Sequence, residues 1–152
     1  MALFKGRETF TLDNKGRVSI PAKMRKNIPA DAENTFLVMR GLDKCIAAYP
    51  INVWNEKYQP KIDNLNQFDP KNRRLRRRMF EWSEDITLDT QQRMILPKEL
   101  LELAEIDGKV IVLGVDDHIE FWNPDIYENY INDCDDSYET AVEAALANRN
   151  DC

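Results

Sequence analysis

Glycine, cysteine and histidine are scarce in this 152-residue chain, at five, three and one residues. No apolar run approaches the roughly 20 residues that span a bilayer. Each scarcity excludes something. With so little glycine the chain has no glycine-rich loop to cradle a phosphate. Cys45, Cys134 and Cys152 are odd in number, far apart and without Cys-x-x-Cys spacing, and His118 is the one imidazole that could join them. Neither a disulfide framework nor a metal site is expected. No serine or cysteine has a base and an orienting group nearby in sequence. The aspartates at 116, 117, 133, 135 and 136 lack the spacing of a calcium loop. The expectation is therefore a protein without enzymatic activity, cofactor or small-molecule substrate. The segment from Met1 to Phe10 lacks the apolar stretch of a signal peptide, so a cytoplasmic protein with no membrane partner is expected.

What is present is an ordinary globular composition, 43% hydrophobic and 32% charged. A chain of this length buries roughly 70% of its extended surface as one compact domain or two very small ones. Its net charge of −6 argues at first against a polyanionic partner, but the charge is segregated. Met1 to Lys26 carries seven bases (Lys5, Arg7, Lys15, Arg17, Lys23, Arg25, Lys26) against two acids. Lys71 to Arg78 carries six bases and no acid. From Lys98 onward there are fifteen acids against three bases. Asymmetry of this size predicts one basic side that faces phosphate and one acidic side that repels it.

The chain also repeats itself. Thr11-Leu12-Asp13-Asn14-Lys15-Gly16-Arg17-Val18-Ser19-Ile20-Pro21 aligns with Thr87-Leu88-Asp89-Thr90-Gln91-Gln92-Arg93-Met94-Ile95-Leu96-Pro97, with five identities at an offset of 76. Gly41 to Ile46 matches Gly114 to Ile119 at an offset of 73. A duplicated unit is the direct reading. Each copy reads as strand, tight turn, strand, short helix, strand, turn, strand. Glu8 to Leu12 is β-rich, and Val18 and Ile20 alternate with Arg17 and Ser19, so Arg17 projects away from the core. Pro21 and Pro97 open short helices predicted over Ala22 to Ile28 and Lys98 to Glu105. The apolar runs Phe36 to Met39 and Val110 to Leu113 predict strands buried on both faces.

Between the copies, Ile51 to Leu65 and Pro70 to Trp82 read as helices. In the second, Leu75, Met79 and Trp82 share one side, predicted to lie on the protein, while Arg73, Arg74, Arg77 and Arg78 spread over the other. That arginine face is assigned to a neighbouring protomer ahead of DNA. Past Pro124, Ile126, Tyr127 and Tyr130 mark a further amphipathic helix. Asp136 and Glu139 are read as a capping pair for a last helix through Leu146, with a frayed tail after Ala147. Trp54, Trp82 and Trp122 are placed in core or interface. His118 is expected in an exposed turn.

The distinctive constellation is Asp-x-x-x-Arg, beginning at Asp13 and again at Asp89. An aspartate opening a turn accepts hydrogen bonds from the following backbone N–H groups and fixes the loop, so the arginine four residues on leaves a rigid platform. A guanidinium held in one direction makes paired hydrogen bonds to phosphate or to guanine O6 and N7. The competing expectation is that Asp13 with Arg17, and Asp89 with Arg93, simply pair across their own turns, an exposed contact of small weight.

Phe4-Lys5-Gly6, Leu12 to Arg25, the Asp89 to Arg93 copy and Gly114 to Trp122 together closely resemble the MraZ family, over nearly the whole chain. The resemblance implies an α+β fold of two pseudo-symmetric AbrB-like β-α-β units forming one β core, with connecting and C-terminal helices. It sets a first unit at 3–50, a helical connection at 51–82, a second unit at 84–123, and C-terminal helices with a tail at 124–152. It implies a bacterial, nucleoid-associated regulator of transcription that assembles into a homo-oligomeric ring. Its partner would be double-stranded DNA, at short G-rich direct repeats in the promoter of the division and cell-wall gene cluster. The motif arginine that family members place on DNA carries over to Arg17 and, by the repeat, to Arg93. Arg17 is expected to read bases, and Lys5, Arg7, Lys15, Lys23 and Arg25 to contact phosphate. Asp13, Gly16 and Asp89 fix the turns. Lys5 stands where the family has arginine, and Gln91 and Gln92 replace the lysine and glycine of the first turn, so the first copy is weighted as the main reader. The rival expectation is an antitoxin-like protein–protein interaction module without sequence-specific DNA binding.

Overall fold

The structure, a computed structural model, describes residues 3–147. Sequence alone leaves the strand partners open, and one exchange settles them: the first strand of each copy pairs with the other copy, through five residue pairs in one case and four in the other. Six strands form an antiparallel sheet in the order β1-β7-β8-β4-β3-β5. These are β1 (Arg7–Thr11), β3 (Thr35–Arg40), β4 (Ile46–Pro50), β5 (Glu84–Thr87), β7 (Lys109–Val115) and β8 (His118–Trp122). β1 of the first copy lies on β7 of the second, Thr9 opposite Ile111, and β5 of the second lies on β3 of the first, Phe36 opposite Ile86. The two remaining strands, β2 (Arg17–Ser19) and β6 (Arg93–Ile95), pair with each other as a separate two-stranded ribbon. The fold is thus α+β with two interlocked units around one core.

Burial explains the exchange. Phe36, Val38, Ile46, Ala48, Val110, Val112, Ile119 and Phe121 line one face of the sheet. Val18 and Met94 from the ribbon close over them, together with Met24 of α1 (Ala22–Arg25) and Leu100 of α5 (Lys98–Leu103). Each large apolar side chain so buried contributes about 1.5–3 kcal/mol. Leu37, Met39, Ala47 and Tyr49 face the other way. They are covered by the connecting helices α2 (Ile51–Val53), α3 (Gln59–Asp63) and α4 (Pro70–Phe80). At the β1 end of that second face, Ile111 and Trp122 pack against α6 (Pro124–Asn132). Phe36 to Met39 is buried on both faces, as its unbroken hydrophobicity predicts, and of Val110 to Leu113 the first three residues are buried while Leu113 is half-buried.

Several elements differ from expectation for identifiable reasons. α1 stops at Arg25, because Pro29 disfavours helix at Ile28 and a 3-10 turn follows over Ala30–Ala32. Pro21 and Pro97 stand just before their helices, where their carbonyls accept from Arg25 and Leu101 N–H. The helix expected over 51–65 is interrupted by a π-helical stretch, Trp54–Tyr58, between α2 and α3. Of the expected face Leu75, Met79 and Trp82, Met79 packs on the sheet, partly buried together with Phe80, whereas Leu75 and Trp82 stay 42% and 39% exposed. Arg76 explains the rotation, since its Nη2 donates to the Ile62 and Leu65 carbonyls and holds that side inward. The last helix, α7 (Tyr138–Ala147), is capped by Ser137, whose Oγ accepts from Thr140 N–H at 3.1 Å, and not by Asp136. Cys152 and the tail after Ala147 lie outside the described residues.

Candidate nucleic-acid interface

Alternation along β2 and β6 turns Val18 and Met94 into the core and leaves Arg17, Ser19, Arg93 and Ile95 on the ribbon's outer face. Arg17 stands opposite Ile95 and Ser19 opposite Arg93, so the two arginines are diagonal neighbours. Each is aimed by its own aspartate. Asp13 Oδ1 accepts the backbone N–H of Lys15 and of Arg17, both at 2.9 Å, and Oδ2 accepts Arg17 Nε–H at 2.5 Å. Asp89 repeats this bond for bond, with Gln91 N–H, Arg93 N–H and Arg93 Nε–H at 2.9, 2.9 and 3.0 Å. The pairing across each turn therefore forms. Because the hydrogen bond uses Nε, it fixes the direction of each guanidinium, and the Arg17 and Arg93 side chains stay 29% and 26% exposed. Arg93 Nη1 also comes within 3.7 Å of Asp13 Oδ2, which links the two turns.

The backbone N–H of Arg17, then its guanidinium and Lys15 N–H, outweigh desolvation and bring the Asp13 carboxyl down to about 2. Asp89 is lowered by the same contacts, the Arg93 N–H first. Both turns need a left-handed residue at their fourth position. Gly16 supplies it at φ 80°, where an added Cβ would also stand 3.3 Å from the Leu96 carbonyl oxygen. Gln92 supplies it at φ 62° despite its Cβ, so the loss of glycine in the second copy strains the turn without changing it.

The other sequence-chosen bases divide. Lys15 lines a shallow groove of about 420 Å³ together with Ile95 and Leu101, and Lys98, which sequence reading did not single out, lines the same groove. Glu84 lines that groove too, and the matching place in the second turn holds Gln91 and, across it, Ala22. Lys23 lies over Gly6, where a Cβ would collide with its side chain, so it and Lys5 share one neighbourhood. Arg25 is half-buried with its Nε enclosed and without a hydrogen-bond partner. Arg7 is not with the ribbon. It shares the Thr9 and Ile111 face of the sheet, donates to Glu128 of α6 at 2.9 Å and sits over the Tyr127 ring. α4 with its arginines and α6 with its acids both lie on that second face, away from the ribbon.

His118 is not in an exposed turn: its side chain is 14% exposed, stacked on Tyr49 and clamped between Asp117 and Glu120 at 2.9 Å each. Asp117 also accepts from Lys57 Nζ at 2.7 Å and Tyr58 Oη at 2.5 Å, both from the π-helical stretch. Burial alone would depress the imidazolium, but the two carboxylates outweigh it and its pKa is raised. Burial would raise Asp117 as well, yet its bonds to His118, Lys57 and Tyr58 bring it down to about 2. The signal was in the sequence: in Asp117-His118-Ile119-Glu120 a strand places His118 and Glu120 on one face. Cys45 is buried, its thiol pushed up to about 12 chiefly by desolvation, and is inert packing. Among the described residues no group of histidine, cysteine and carboxylate side chains is arranged to hold a metal, and no helix is long and apolar enough to cross a membrane.

An exchanged pair of β units that builds one ribbon, with an aspartate-aimed arginine from each unit, defines the class: a tandem swapped-hairpin protein. The comparisons narrow it further. The family model described as "MraZ protein, putative antitoxin-like" matches twice, over residues 3–78 and 79–149. A transcriptional regulator MraZ of Cytophaga hutchinsonii is 31% identical over 148 residues, covering 97% of both chains. One from a Roseiflexus species is 36% identical over 134 residues, covering 88% of this chain and 90% of the relative. Another from Moorella thermoacetica is 34% identical over 141 residues, covering 93% and 95%. This chain belongs to the MraZ family, whose curated relatives are named for regulating transcription and not for an enzymatic activity.

Proposed function

We propose that this protein regulates transcription by binding double-stranded DNA with the β2/β6 ribbon. Its target would be short G-rich direct repeats in the promoter of the division and cell-wall gene cluster, met by a nucleoid-associated ring of several copies. The observation that carries the reading is the twice-built turn. In it a carboxylate fixes loop and guanidinium together, so that Arg17 and Arg93 stand as diagonal neighbours on the outer face of a two-stranded ribbon. A ribbon of this width enters a major groove, and an arginine already held in place loses little freedom on meeting guanine O6 and N7. Lys15 with Lys98, and Lys5 with Lys23, supply phosphate contacts, whereas Arg7, engaged by Glu128, ties α6 to the sheet. Each ribbon alone binds weakly, and repeated sites read by linked copies raise affinity through effective concentration.

Fluorescence anisotropy on a promoter duplex and on a scrambled duplex tests this. Arg17→Ala should cost about ten- to a hundredfold in affinity for the repeats and erase the preference over scrambled sequence. Arg93→Ala should cost less, and Arg7→Ala should leave the preference intact. Wild-type protein that shows no preference, or an Arg17→Ala variant that keeps it, would contradict the reading and favour a protein-interaction module.

A further inference from the structure

α7 is a helix with no buried residue: Tyr138 is 79% and Leu146 55% exposed. Its apolar residues are nevertheless organised. Tyr138, Ala141, Val142, Ala145 and Leu146 recur at helical spacing and form one stripe, and Glu139 and Glu143, four apart, run along one edge of it. A helix of ten residues does not sustain itself in water on propensity alone, so the stripe calls for an apolar partner.

The chain carries a surface of matching chemistry. Between the β3–β4 turn and α4 lies an open groove of about 440 Å³ with Met39, Leu42, Leu75 and Met79 as its apolar lining and Arg40 and Arg78 among its walls. Leu42 is 98% exposed there, a large apolar side chain with nothing over it. Among the described residues Arg40 and Arg78 form no ion pair, and neither do Glu139 and Glu143. Two unpaired acids beside an apolar stripe thus match two unpaired arginines beside an apolar groove.

We infer that α7 of one copy lies in this groove of a second copy, its stripe on Leu42 and Leu75 and its glutamates against Arg40 and Arg78. The inference rests on the proposed reading that copies assemble, and names how they are joined. Every chain then offers one arm and one groove, a head-to-tail contact that propagates until the rotation closes it. The groove lies on the sheet face opposite the ribbon, so the contact leaves Arg17 and Arg93 free.

Sedimentation velocity on the full chain over a range of concentrations tests it, with two charge-reversed variants, E139R/E143R and R40E/R78E. Thermal unfolding confirms that each is folded. The wild type should sediment as an oligomer, and each variant alone as a single chain because like charges then meet at the contact. An equimolar mixture should regain the oligomer, since the reversed arm of one variant matches the reversed groove of the other. A variant that keeps the wild-type mass alone, or a mixture that does not recover, overturns the inference while leaving assembly standing. A wild type that is a single chain at every concentration overturns assembly itself.

Discussion

Asp13 Oδ1 takes two backbone N–H groups while Oδ2 takes the Arg17 Nε–H, so one carboxylate sets both the loop and the direction of the guanidinium. Asp13→Ala should therefore lose affinity for DNA nearly as fully as Arg17→Ala although Arg17 is still present. With its pKa lowered to about 2 from an ordinary value near 3.8, Asp13 contributes stability above pH 4 that is lost as pH falls from about 4 to about 2. His118 works in the opposite sense. Its pKa is raised above 6.5, so its clamp is complete below that value and is lost as pH rises through the raised one. Calorimetry should show a melting temperature that declines from pH 6 towards pH 9, and His118→Gln should flatten that decline. An unchanged slope in the variant would contradict the role given to His118. The strained Gln92 makes a further forecast: Gln92→Gly should stabilise the protein by about 1 kcal/mol, and Gly16→Ala should destabilise it by about 1–2 kcal/mol, measured by urea unfolding.

Among the elements, the ribbon depends on what lies under it. Met94 is fully buried between ribbon and sheet, so Met94→Ala should cost about 3 kcal/mol in urea unfolding and loosen both turns at once. Much of this was legible beforehand. The period-2 alternation around Val18 fixed which way Arg17 faces, and the spacing of Asp13 to Arg17 announced the turn chemistry, because both are local. Strand pairing was not legible. Nothing within Arg7 to Thr11 distinguishes β7 from β2 as a partner, and the choice is made by Phe10 packing onto the common core. α4 misled for a related reason: a helical wheel ranks side chains by hydrophobicity and so missed that Arg76 turns inward to satisfy the Ile62 and Leu65 carbonyls. Lys98 escaped notice as a neighbour of Lys15 because only the exchange of strands brings residues so distant in sequence to one groove.

For the whole molecule, interlocking means that neither half has a complete sheet of its own. Residues 3–78 lack the partner for β3 that β5 provides, and residues 79–149 lack the partner for β7 that β1 provides. Each half produced separately should give the circular dichroism of an unfolded chain, and mixing the two should restore native signal; a half that folds cooperatively alone would show that the exchange is dispensable. The same architecture spreads charge over both faces. The ribbon with Lys15 and Lys98 lies on one side of the sheet together with α5, and α4 with its arginines and α6 with its acids lie on the other, so a chain of net charge −6 still carries local clusters of basic residues. Which face meets DNA is best decided by placing a photo-crosslinking phenylalanine analogue at Ile95, opposite Arg17 on the ribbon's outer face, or at Leu75, on α4, and irradiating each with the promoter duplex. Crosslinks to DNA from position 95 and none from position 75 are expected. Crosslinks from position 75 alone would place the duplex on the wrong side of the sheet for Arg17 to read it.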